Sequence, residues 1–357
     1  MKYLILFLFF TTGLAAQEKV SVEAGTRKMK WDTTWYQKFR TNLIVGVFQS
    51  YRNYNNSFRQ FKNADTLGIS NNNYYAESNQ VTGIEINYDK LNIAFGFRST
   101  PQANHTKGKG STTTLNGTFN VGGNKWFLEN SLRYFKGFYD NNTGNYDTTF
   151  KTSGDYFLQP NLTNTLVRSK FFYFTNHKRF SFRSNYACNY RQLRSSATWV
   201  LSANLNYCYL KNDSSFFPMA ARPYYGGYAN MNGIKVFGAS VNAGAAATLV
   251  ILKGFFLHGM FIVGPEQQWR TYNYSGESSS RLSYFSLSGS FRASIGFNLK
   301  RCYLLSSTSN DFAIYNSSFV GLTNRSLSGS ITFGWRFFTK VPEVYKKIQK
   351  TKIYKFF

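Results

Sequence analysis

From Tyr284 to Leu299 the chain alternates between apolar and small polar or basic residues. Phe285, Leu287, Phe291, Ala293, Ile295, Phe297 and Leu299 fall on one side of an extended chain. Ser286, Ser288, Ser290, Arg292, Ser294 and Asn298 fall on the other. Successive side chains of a strand point to opposite faces, so this segment has one greasy face and one wet face. When such a pattern recurs in many segments long enough to cross a bilayer, it predicts a transmembrane β-barrel.

The pattern does recur. Thr41–Tyr51 is the first strand, and Val81–Arg98 reads as a hairpin about Asp89-Lys90, with Ile84, Ile86, Ile93, Phe95 and Phe97 on one face. Thr113–Val121 and Trp126–Arg133 follow the same rule, joined by the turn at 122–125. Phe180, Phe182, Tyr186 and Tyr190 alternate with Ser181, Arg183, Asn185 and Asn189, which predicts a further strand. Trp199–Tyr207, Phe237–Ile251 and Leu327–Phe337 continue the series. Long connections near 53–79, 99–110 and 140–164 alternate with short ones at 89–90, 122–125 and 176–178. Outer-membrane barrels alternate long external loops with short periplasmic turns in this way. The segment 211–233 breaks the order, and an extra strand near Phe216–Tyr225 would restore it. The expectation is an all-β, closed antiparallel transmembrane barrel of roughly 12–14 strands, with no helix of useful length.

Lys2, the apolar run Tyr3–Phe10 and the small residues Gly13-Leu14-Ala15-Ala16 read as a signal peptide over 1–16. The barrel is then expected over 17–338 and a basic tail over 339–357, ending in Phe356-Phe357. The tail reads either as a solvated segment or as a signal to the barrel assembly machinery. Ala243–Leu252 is too short for a spanning helix. Three cysteines, Cys188, Cys208 and Cys302, cannot all pair with one another, and whether Cys188 and Cys208 pair stays open. No metal spacing and no cofactor motif stands out.

The formal net charge is +26. Export makes nucleic acid an improbable partner, and outer-membrane lipid, lipopolysaccharide phosphate or an anionic solute fits the charge better. Seven charges fall on the wet faces: Glu85, Arg98, Glu129, Arg133, Arg183, Arg292 and Arg336. They form either a lumen network that plugs and stiffens the barrel or an anion-attracting pocket or pore. Lys107-Gly108-Lys109-Gly110 is a basic loop able to meet a phosphate, without the strand–loop–helix setting of a P-loop. His258, on a wet face, is the least implausible base for an enzyme acting on lipid or envelope polymer. A soluble periplasmic β-sandwich binding glycan is the remaining alternative.

Tyr134-Phe135-Lys136-Gly137-Phe138-Tyr139, Asn176–Arg183 and Gln192-Leu193-Arg194-Ser195 resemble the domain-of-unknown-function family 4421. The resemblance covers most of the chain after the leader. It departs after Ser195, where Ser196-Ala197-Thr198 stands in place of an expected glycine. It implies an exported outer-membrane barrel of Bacteroidota-type bacteria, and it carries no assigned activity and no catalytic residues.

Overall fold

The computed structural model describes residues 33–60, 68–76, 80–98, 108–252, 254–316, 320–352 and 354. The expected leader and the terminal Phe356-Phe357 lie outside them. The strands are β1 (Tyr36–Lys38), β2 (Asn42–Gln60), β3 (Asn71–Tyr75), β4 (Gln80–Tyr88), β5 (Leu91–Arg98), β6 (Thr113–Gly122), β7 (Trp126–Asp140) and β8 (Phe157–Phe174). They continue as β9 (Tyr190–Gln192), β10 (Ser196–Lys211), β11 (Met231–Ile251), β12 (Phe255–Tyr274), β13 (Glu277–Asn298), β14 (Cys302–Asn316) and β15 (Val320–Phe338). Each wall strand pairs antiparallel with its neighbours, and β15 closes on β2 from Phe338↔Asn42 to Val320↔Gln60. Strand β3 is a short extension bridging the upper parts of β2 and β7, so twelve strands make the wall. Strands β1 and β9 form a separate two-stranded sheet. Closure leaves the described barrel wall without an open edge, and it excludes the sandwich alternative.

The alternation sorts residues as expected on most strands. Phe95, Trp199, Phe285 and Ile331 point outward and are 60–76% exposed, while Glu85, Asn116, Ser290, Arg292 and Arg336 point inward and are buried. Such an exposed apolar band cannot be left in water and fits a hydrocarbon surround. The register slips near the far end on β7, β11 and β12, and the slip on β7 reverses the faces. At Gly137, φ is +89° and the ladder slips between Lys136 and Phe138, which turns Phe138 back toward the lumen. A Cβ at Gly137 would lie 2.3 Å from the Ser111 carbonyl oxygen, so only glycine fits there.

Two strand assignments are corrected. The segment 175–195 is not a wall strand. After Phe174 it turns into the barrel, makes a helical turn at Arg183–Tyr186, and returns through β9. Phe180 and Phe182 pack there on Phe127, Phe172, Phe174, Val200, Met260 and Ile262. The apparent alternation is that of a plug packed on all sides. The expected strand at Phe216–Tyr225 is also absent; a loop with a helical turn at Arg222–Tyr225 stands there. Removing one strand at 180–190 restores the loop order just as adding one at 216–225 would. Strands also run further than expected: β2 continues to Gln60, and β8 begins at Phe157 inside the segment read as a long loop.

The end holding Asn42 and Phe338 is called the near end. Its connections are 89–90, 123–125, 175–195, 252–254 and 299–301. The far end carries the connections 61–79, 99–112, 141–156 and 212–230, a tight turn at 275–276 and the short connection from β14 to β15. The tail contains a short helix, Glu343–Lys350, where only a basic tail was expected. Tyr345 is its buried residue, donating a 3.2 Å hydrogen bond to Asp89 in the β4–β5 turn. The Tyr354 hydroxyl reaches the same carboxylate, and the Lys90 ammonium lies 3.7 Å from the Tyr354 ring. Burial and the Asp89 charge push both phenols above the ordinary tyrosine range, so both stay donors at neutral pH.

Candidate functional site

The barrel interior is filled in layers. At the far end Phe216, Phe217, Ala221 and Tyr225 fold inward onto Tyr54, Phe58, Tyr74, Phe135, Phe138 and Leu162. Phe217 stacks on Tyr225 at 3.6 Å, and Phe216 on Phe58 at 5.4 Å. Each aromatic side chain so buried contributes roughly 1.5–3 kcal/mol. The Tyr225 hydroxyl lies 2.8 Å from both the Ser70 carbonyl and Asn72 Oδ1 and donates its one proton between them, which fixes the loop over the opening.

The middle layer is ionic. Asp311 on β14 accepts hydrogen bonds from Arg168 (2.9 Å) and Lys170 (2.6 Å) on β8, and from Ser290 (2.7 Å) on β13. Glu129 on β7 accepts a two-pronged bond from Arg292 on β13, at 2.6 and 2.7 Å. In the ring order, β8 and β14 stand five strands apart, as do β7 and β13. On a ring of twelve these are nearly opposite walls, so the bonds cross the lumen. The five side chains are 7–22% exposed. Charges this buried require partners. The cavity beside Asp311, lined by Arg168, Lys170, Asn204, Asn206, Asn242 and Ser290, measures about 20 Å³. That is room for about one water.

Below this layer, Asn185 of the plug donates to Thr248 (2.9 Å) and meets His258 Nδ1 at 3.0 Å, and Thr248 meets the same nitrogen at 3.0 Å. Amide and hydroxyl therefore hold His258, and among the described residues no carboxylate hydrogen-bonds to it. A Ser-His-Asp arrangement needs one. Arg183 is wholly buried in the plug, donating to Asn189 Oδ1 at 3.0 Å and to the Gly122 carbonyl, between the Phe127 and Tyr190 rings. Arg336 donates to Asn298 Oδ1 (2.6 Å) and to the Cys188 carbonyl, fastening plug to wall.

The seven expected charges thus occupy several places. Glu129 and Arg292 pair, and Arg133 lies in the field of the same ionic layer. Glu85 instead accepts from the Tyr303 hydroxyl. Arg98 donates to the Thr112 carbonyl at 3.0 Å near the far end, while Arg183 and Arg336 belong to the near plug. Lys107 lies outside the described residues. Lys109 sits 5.2 and 5.4 Å from the Tyr139 and Tyr156 rings, as a loop anchor. Cys188, Cys208 and Cys302 are all free thiols.

Sequence reasoning missed Arg168, Lys170, Asp311, Glu266 and Arg270. The last two form a chain toward the far end, Gln268 donating to Glu266 (2.9 Å) and Arg270 to Gln268 (2.6 Å). On β8 the signal was the even positions Asn164, Arg168 and Lys170, but their neighbours Leu162, Leu166, Phe172 and Phe174 share the same inward face.

Residues 30–337 match the family model described as Domain of unknown function (DUF4421). The chain belongs to that family. No curated protein matches the sequence. Among solved structures, the outer membrane protease OmpT of Escherichia coli aligns over 84% of this chain and 98% of that one, at 9% identity and a TM-score of 0.37. The translocator domain of the autotransporter NalP from Neisseria meningitidis aligns over 83% and 89%, at 10% identity and 0.33. The attachment invasion locus protein Ail of Yersinia pestis, in complex with a heparin analogue, aligns over 83% and 99%, at 10% and 0.20. These family members and likenesses assign no activity to the chain.

Proposed function

We propose that the protein is an outer-membrane barrel with a structural or binding role and a non-conducting lumen, its near end facing the periplasm. The observation that carries this reading is the pair of cross-lumen ionic bridges, Asp311 to Arg168 and Lys170, and Glu129 to Arg292. They stand between two aromatic plugs, and an open pore would have to break all three layers. The orientation rests on the longer far-end loops and on the inward fold of 175–195, the one long near-end connection. A lipid- or polymer-cleaving role has less support, because His258 is held by neutral partners inside the plugged barrel.

The test is solute flux from proteoliposomes loaded with a small anion such as gluconate or with a neutral sugar. Release no faster than from empty liposomes is expected. Protein-dependent release of the anion over the sugar would overturn the proposal in favour of anion passage through a basic lumen.

A further inference from the structure

The charge excess is not spread evenly over the described residues. Exposed cations ring the near end: Lys125 in the β6–β7 turn, Arg179 and Arg194 flanking the plug, Lys300 and Arg301 in the β13–β14 turn, and Lys340 after β15. The near-end helix adds Lys346, Lys347 and Lys350, all exposed. Two described acids lie at this end. Asp89 is buried under Tyr345 and Tyr354, and Glu343 already pairs with Lys346 at 2.5 Å.

The cations stand where the apolar wall ends. Lys125 lies 5.5 Å from the Trp126 ring, which stacks on Phe171 and meets Tyr173 at 4.4 Å. Lys340 follows outward Phe337, 48% exposed, and the strand-end residue Phe338, 84% exposed. The near-end helix, fastened through Tyr345, leaves Val344 (71%) and Ile348 (41%) exposed beside its lysines. An aromatic belt, a ring of cations just beyond it, and a short helix showing apolar and basic side chains together match a lipid leaflet at phosphate level. A soluble polyanion would need the cations but would have no use for Val344, Ile348, Phe337 and Phe338.

We propose that the near rim binds anionic phospholipid headgroups, with acyl chains against the wall and phosphodiesters on the cation ring. This rests on the reading that the barrel spans a bilayer. It places the recognised anion in the leaflet at the near end, away from the long loops. One close cation is worth about a fivefold preference for an anionic lipid at low salt, and salt weakens it.

The experiment is energy transfer from the native tryptophans, Trp126, Trp199 and Trp335 lying near this rim, to pyrene-labelled phosphatidylglycerol or pyrene-labelled phosphatidylcholine. The full chain is reconstituted in phosphatidylcholine vesicles. About fivefold enrichment of the anionic label at low salt is expected, falling toward equality at high salt. It should also fall in a variant carrying Lys125→Gln, Arg194→Gln, Lys300→Gln and Lys340→Gln. A control variant at the far end, Lys136→Gln, Lys151→Gln, Lys211→Gln and Lys235→Gln, should keep the enrichment. Equal transfer to both labels overturns the proposal while leaving the membrane reading intact. So does equal loss in the two variants. Retention of the protein on soluble polyphosphate without a lipid preference overturns it in favour of a soluble polyanion. No transfer to either label overturns the membrane reading and the proposal together.

Discussion

Replacing Asp311 with alanine removes the carboxylate that two buried cations share. Arg168 and Lys170 each lose a partner at 2.9 and 2.6 Å, and their side chains are only 8% and 7% exposed. Breaking a buried ion pair from one side typically costs about 3–5 kcal/mol, because the remaining charge is left without compensation. Glu129, in the same layer, offsets part of that loss, so the lower half of the range is expected. With a urea slope near 3 kcal/mol per molar, the unfolding midpoint should fall by about 1 M. Asp311→Asn should behave alike, since it keeps the shape and loses the charge. The triple variant Asp311→Asn, Arg168→Gln, Lys170→Gln should recover most of the loss, because neutralising all partners removes the penalty as well as the attraction. The assay is electrophoretic mobility of unboiled samples after urea incubation in detergent, reading folded against unfolded barrel. A loss under about 1 kcal/mol for Asp311→Ala is what solvent-exposed pairs show. That result would refute the reasoning, because it would mean that water fills the lumen around these charges.

Three further outcomes follow from particular residues. Phe291→Arg places a charge on the outer wall midway along β13, where Phe291 is 44% exposed, and should cost about 2–4 kcal/mol in lipid; a neutral effect in reconstituted bilayers would argue against a lipid-facing wall. Gly137→Val must leave φ +89° or collide with the Ser111 carbonyl, so the same urea assay should register a loss of about 1–3 kcal/mol. Lys38, 5.7 and 5.1 Å from the Tyr36 and Tyr190 rings, is lowered to about 7, chiefly by burial and then by Arg40. Between about 7 and the ordinary lysine value the folded protein holds fewer protons than the unfolded chain, so stability rises with pH across that window. The wild-type midpoint should therefore climb relative to Lys38→Met between pH 7 and 9.5, and parallel curves would show Lys38 to be solvated.

How much of this was legible depended on what each wall face touches. Where the lumen side is polar and the outer side meets hydrocarbon, as at Ile84/Glu85 or Phe291/Arg292, period two is plain and the orientation comes out right. Strand β8 hides because its inner face packs on the near plug through Phe172 and Phe174, while Thr163, Thr165 and Ser169 face outward. The contrast between faces vanishes, and Arg168 and Lys170 disappear with it. The plug misleads for the opposite reason. Phe180 and Phe182 are buried by contacts all round, and their spacing mimics a strand. Loop order carried the warning, since one crossing too many had to be explained at 211–233. The partner of Arg292 was beyond reach, because which residues meet across a lumen depends on closure and stagger, which no local pattern encodes.

The most direct test of the sealed lumen uses the protein's own thiols. Cys188 sits in the near plug with no exposed surface, its thiol pushed up by burial, and Cys208 faces the far aromatic cluster at 4% exposure. A small charged methanethiosulfonate, added to the folded protein in detergent and followed by mass, should leave both unmodified and reach them only after unfolding. Rapid modification of Cys188 and Cys208 in the folded barrel would mean that solution enters from both ends, and would contradict the account.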